Sequence, residues 1–191
     1  MTRVSLTLVG IIFIFFCCNE SVKVTEIGEV DVQVEYPCLS SSNDCLSDID
    51  ISGGTFQMYS SFHIDSVSDV RGAIITMHGN NRNASDYYEK MISVVSSQMS
   101  TDEILIIAPK FITNYEITDN TDWYWNTTSW KWGMQSYNSP LGESVSSFEV
   151  IDSILSKLND RQLFRQLSDV IITGHSSGAA FVHMFSFSKP N

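Results

Sequence analysis

Three short, nearly unbroken apolar runs constrain this chain most: GAIITMH at 72–78, EILIIAP at 103–109 and DVIIT at 169–173. A strand with one wet face alternates apolar and polar residues. A continuous run of this length fits a strand buried on both faces. Between these runs the period changes. SDYYEKMISVVSSQM, 85–99, carries its apolar residues at helical spacing, with Ser85 or Asn83 available as N-cap. SVSSFEVIDSILSKL, 144–158, does the same through Val145, Phe148, Ile151, Ile154, Leu155 and Leu158. From Gly178 onward a further helix is expected. Doubly buried strands alternating with helices imply an α/β fold, a mostly parallel sheet with flanking helices on both faces.

The remainder is less regular. Residues 19–28 read as a polar leader. EVDVQVEY, 29–36, alternates Val30, Val32, Val34 and Tyr36 against Asp31, Gln33 and Glu35, which predicts a strand with one wet face. CLSSSNDCLSDIDISGG, 38–54, reads as a loop, and TFQMYSSFHI, 55–64, as a second strand. Residues 110–142 form a long irregular excursion that holds all four tryptophans. A length of 191 residues fits one domain.

The first eighteen residues stand apart. Arg3 precedes an apolar run from Val4 to Phe16, which is short for a bilayer span. Residues 1–18 are therefore expected to be a signal peptide, or else a short anchor, with cleavage between Cys17 and Ser21. Residues 19–191 are the domain itself. Export fits two sequons, at Asn83 and Asn126, and a third at Asn19 beside the cleavage region. It also fits Cys38 and Cys45, which flank a loop-like stretch and can close as a small disulfide in an oxidising compartment. The expected location is secreted or within the secretory pathway.

The formal charge of −11 argues against a nucleic-acid partner, which needs a Lys/Arg surface. Contact with a membrane is expected only if the N-terminal segment stays uncleaved. The histidines and cysteines show no metal-ligand spacing, so no metal is expected. No glycine-rich phosphate loop appears, and no cofactor is implied.

The chemistry lies in DVIITGHSSGAAFVHMF, 169–185. An apolar run leads into Gly174-His175-Ser176-Ser177-Gly178 and then a helical stretch. A serine on such a strand-to-helix turn sits in strained backbone with its hydroxyl pushed out, and the flanking glycines let strand and helix approach. Ser176 is the candidate nucleophile. The backbone N–H of Ser177 is one candidate oxyanion donor, and the new helix's N-terminus favours developing negative charge. TMHGNNRNASDYY, 76–88, puts His78-Gly79 between an earlier buried strand and a helix. This is the place for the oxyanion loop, with the N–H of Gly79 or Asn80 as second donor. The plainer alternative for His78 is a hydrogen-bonded structural histidine.

Four pieces, HGNNRNASDYY, IIAPKF, SSFEVIDSIL and IITGHSSG, occur in an order that resembles the α/β-hydrolase superfamily, and within it a group of hydrolase-like proteins of fungi, protists and bacteria. The resemblance spans about 72–187. It implies an eight-stranded sheet, a Ser–acid–His triad, and a small-molecule or polymer substrate with an ester, peptide or other acyl bond. By the same resemblance Arg82 and Asn83 match a triplet after the oxyanion loop, with a structural hydrogen-bonding role. The pattern departs from the superfamily after Ser176. No acidic residue follows, and His183 lies about two helical turns down the helix, out of reach of the serine. His175 is adjacent to the serine in sequence, but neighbours on such a turn diverge, and His63 is expected to be structural. The triad's acid and base and the last strands of the sheet are missing, so the chain is expected to be a fragment, weakly active or inactive as written. Two alternatives stand beside this reading. One is a secreted binding protein that uses DWYWNTTSWKWG, 122–133, although these aromatics also suit a core. The other is a folded pseudoenzyme without a base.

Overall fold

The computed structural model describes residues 36–137 and 142–188, all of which belong to one compact unit, Val34–Asn191. The expected signal segment at 1–18, the leader at 19–28 and all of the expected strand at 29–36 except Tyr36 lie outside the described residues. So does the sequon at Asn19.

Five strands make one sheet: β1 (Leu46–Ile51), β2 (Gly54–Ser60), β3 (Gly72–Met77), β4 (Ile104–Pro109) and β5 (Asp169–Gly174), in the order β1-β2-β4-β3-β5. Helices α1 (Ala84–Gln98), α2 (Ser147–Leu158) and α3 (Ser177–Phe187) flank it. This is an α/β fold. β3 runs parallel to both β4 and β5, and β2 runs antiparallel to β1 and β4. The parallel part is the part built from the three apolar runs.

The β3 and β4 runs are unbroken because the sheet there has a core on each face. Successive strand residues point to opposite sides. On β4, Leu105 and Ile107 pack with Val150, Ile151 and Ile154 of α2 and with Phe181 and Phe185 of α3. Ile106 and Ala108 join the other core with Ala84, Tyr88 and Val95 of α1. α2 starts where Ser146 and Glu149 form a reciprocal capping box: the Ser146 hydroxyl accepts from the Glu149 N–H, and the Glu149 carboxylate accepts from the Ser146 N–H.

Three segments depart from the sequence reading. Residues 38–54 are not all loop, since β1 lies inside them. Its Ser and Asp residues obscured an Ile-Asp-Ile alternation in which Ile49 and Ile51 are buried and Asp48 and Asp50 face out. Ser52 and Gly53, both at positive φ, turn the chain back into β2. β2 in turn stops at Ser60 rather than continuing to Ile64. Third, β5 is not buried on both faces. Among the described residues it is an edge strand, with Val170 and Ile171 exposed by 38% and 56%.

The excursion at 110–142 supplies core rather than lid in its described part. Trp123, Trp125 and Trp130 are fully buried in the core shared with α2 and α3, while Trp132 is half exposed. The Trp123 Nε1–H donates to the Ile51 carbonyl at 2.8 Å, and the ring fills the space where a Cβ on Gly54 would come within 2.3 Å. The faces of three of the indoles are thus occupied by protein and are not open for stacking on a ligand.

Candidate active site

Register brings the two candidate loops together. β3 and β5 are parallel neighbours, with Met77 opposite Gly174, so the chain leaves both strands at the same level of the same sheet edge. One exit becomes His78-Gly79-Asn80, and the other becomes His175-Ser176-Ser177.

At the second exit Ser176 has φ 56° and ψ −117°, a backbone conformation that non-glycine residues rarely adopt and that is paid for by the packing around it. The turn is closed by the Gly178 N–H donating to the His175 carbonyl at 3.0 Å. Close approach explains both glycines. A Cβ on Gly174 would lie 2.5 Å from the Gly178 carbonyl carbon, and one on Gly178 would lie 2.4 Å from the Met77 carbonyl oxygen. Ser176 and His175 are exposed. Ser177 is the first residue of α3, where backbone N–H groups have no intrahelical acceptor and the helix end carries partial positive charge.

At the first exit the His78 ring turns into the core. It is fully buried, with Trp130 at 4.4 Å between ring centroids. The Phe111 N–H donates to His78 Nε2 at 3.3 Å, which leaves the Nδ1–H to donate to the Gly79 carbonyl at 2.9 Å. Burial pushes its pKa down to about 4, so the ring is neutral. His78 braces the loop from below, and its ring is not presented to a substrate. Farther along, Arg82 at φ 56° ion-pairs with Glu116 at 3.0 Å. Burial alone would raise the Glu116 pKa. Hydrogen bonds from Thr113 and the Arg82 charge outweigh burial and hold it below its ordinary value.

Between the two exits lies a cleft of about 320 Å³. Gly79, Asn80, Asn81 and Asn83 line it from the loop, Tyr87 and Lys90 from α1, and His175 and Ser176 from the elbow. Of the sequence-derived site residues, the structure thus gathers Ser176, His175, Gly79 and Asn80, with Ser177 and Gly178 next in the chain. It also adds Tyr87 and Lys90, which the sequence reading counted only as helix residues. The other histidines lie apart from the serine. His63 is exposed and accepts from the Asp65 N–H, and His183 sits on the outer face of α3 against Phe187. Among the described residues no histidine is hydrogen-bonded to Ser176.

Cys38 and Cys45 are joined by a disulfide. Asn126 is exposed, its Oδ1 accepting from the N–H groups of Thr128 and Ser129, while Asn83 is half-buried with its amide donating to Asp86 at 2.5 Å. Among the described residues no cluster of three or more His, Cys, Asp or Glu could hold a metal ion, and no helix is long and apolar enough to cross a membrane.

No family model matches the chain, and no curated protein matches it. Two solved structures are similar to it. One is poly(aspartic acid) hydrolase-1 from Sphingomonas sp. KT-1, with a TM-score of 0.48 and 17% identity over 73% of this chain and 50% of that one. The other is a siderophore hydrolase from Aspergillus nidulans, with a TM-score of 0.39 and 14% identity over 76% of this chain and 52% of that one. The chain spans about half the length of the solved structures it matches.

Proposed function

We propose that this chain carries the nucleophile and oxyanion region of a secreted serine hydrolase that cleaves ester or other acyl bonds. The observation that carries this reading is the backbone of Ser176. A serine at φ 56°, ψ −117° between a strand and a helix is exposed beside the Gly79–Asn80 loop and lines the same cleft, and strained backbone of this kind clusters at functional sites. In the reaction, Ser176 Oγ attacks the acyl carbon and gives up its proton to a general base. The carbonyl oxygen, now anionic, is stabilised by the N–H of Ser177 and by that of Gly79 or Asn80. Collapse of the tetrahedral species expels the alcohol or amine and leaves an acyl-serine, which water hydrolyses. Among the described residues no histidine is hydrogen-bonded to the Ser176 hydroxyl as such a base would be, and a serine without one keeps only a remnant of its reactivity. Export is supported by the apolar 4–16 run, the Cys38–Cys45 bridge and the exposed sequon at Asn126.

The test uses protein purified from its source cells at its natural length. A fluorophosphonate probe should label one serine, and peptide mapping should place the label on Ser176. Ser176→Ala should abolish both labelling and hydrolysis of p-nitrophenyl esters. Labelling elsewhere, or esterase activity unchanged in Ser176→Ala, would overturn the reading.

A further inference from the structure

The two candidate oxyanion donors come from loops that leave different strands, and the β3–β5 pairing that holds the strand ends level stops at Met77 and Gly174. His78 braces the loop from the core, and the Arg82–Glu116 pair braces its far end. Neither side chain is hydrogen-bonded to the elbow. Among the described residues, one side-chain hydrogen bond joins α1 and its preceding loop to the elbow: the Tyr87 hydroxyl with His175 Nδ1, at 3.3 Å. The same hydroxyl lies against Gly79. A Cβ at position 79 would come within 2.8 Å of the Tyr87 oxygen and 3.9 Å of the His175 carbonyl oxygen. Tyr87 Oη, the Gly79 backbone and His175 therefore meet at one point on the wall of the Ser176 cleft. The ring itself is held from outside by Lys90, one turn on, whose ammonium lies 5.5 Å from its centroid.

We propose that Tyr87 is a positioning residue, its hydroxyl clamping the Gly79–Asn80 loop to the His175–Ser176 elbow so that donors from both aim at one oxyanion. This rests on the reading of Ser176 as nucleophile. Oxyanion stabilisation depends on donors fixed before the reaction, and a displacement of about 1 Å at such a site can cost a hundredfold in rate. The glycine at 79 has the same cause, since any side chain there would displace the hydroxyl.

Tyr87→Phe isolates the hydroxyl, because the phenyl ring keeps its place beneath Lys90. In the natural-length protein the variant should label at Ser176 about tenfold more slowly, and for a p-nitrophenyl ester kcat should fall by a similar factor while KM moves less than about twofold. His175→Ala should cause a comparable loss, and adding Tyr87→Phe to it should cost little more, because both remove one contact. His175→Ala also reads the contact from the elbow side should Tyr87→Phe fail to fold. Equal labelling of Tyr87→Phe and wild type, or additive losses in the double variant, would overturn the assignment of Tyr87 while leaving the nucleophile in place. If the wild type itself fails to label at Ser176, the nucleophile reading falls and this inference with it.

Discussion

His78 shows how one residue can serve a site without entering it. Its neutral ring accepts from Phe111 and donates to Gly79, so the same side chain is tied to the segment after β4 and to the Gly79–Asn80 loop. That neutrality has a pH consequence. In the unfolded chain a histidine titrates near 6.5, whereas burial holds this one at about 4. Between those values the unfolded state binds the extra proton, so stability rises with pH and is lost as pH falls from about 6.5 towards 4. From pH 7.5 to pH 5 the His78 contribution should shrink by about 2 kcal/mol. Urea unfolding at both pH values, on wild type and on His78→Gln, measures it. Gln supplies a donor and an acceptor but does not titrate, so that part of the pH dependence should vanish. An unchanged dependence in the variant would show that His78 is not its source.

The strand–turn–helix junction is the element on which the candidate site depends, and its tolerances are set by backbone. A methyl on Gly178 would meet the carbonyl oxygens of Met77 at 2.4 Å and His78 at 2.7 Å, neither of which can swing aside as a flexible side chain would. Gly178→Ala should push the start of α3 off β3, costing on the order of 1–3 kcal/mol in chemical denaturation. It should also slow Ser176 labelling, because Ser177 moves with the helix. Full stability with normal labelling would mean that the junction is looser than its contacts indicate. This junction was legible in the sequence because glycines at fixed spacing between an apolar run and a helix have few other uses. β3, β4 and the helices were legible because a core on each face leaves unbroken apolar runs and clear helical periods. β1 was not, because its outward Ser and Asp residues resemble a loop when the paired strand is unseen. Tyr87 was not either. In the sequence it is one half of a Tyr-Tyr pair with helical spacing. Only the fold separates it from Tyr88, which is buried and donates to the Cys38 carbonyl at 2.5 Å.

At the scale of the molecule the sheet is finished unequally. Around β2, β4 and β3 both faces are packed, whereas β5 carries Val170 and Ile171 into solvent and α3 beside it carries Met184 and Phe187. Ile171 pairs with Ile74 across the register and lines a shallow apolar groove with Met99 and Ile104. An edge strand with unpaired backbone groups and apolar side chains is a template for pairing with another chain, and charge on such an edge is the usual defence against it. A polypeptide of residues 1–191 produced alone should therefore self-associate despite its charge of −11. Ile171→Lys should shift it towards monomer in sedimentation velocity. It should leave Tm nearly unchanged, because the side chain is more than half exposed and little buried area is lost. Asp48 provides the comparison, being an exposed position on β1, the other outer strand of the same sheet. Asp48→Lys on β1, far from the apolar edge, should leave association as it was. If both lysine variants act alike, net charge governs association. If only Ile171→Lys acts, the β5 edge does, and the strand that leads into the Ser176 turn is also the one through which this polypeptide meets its neighbours.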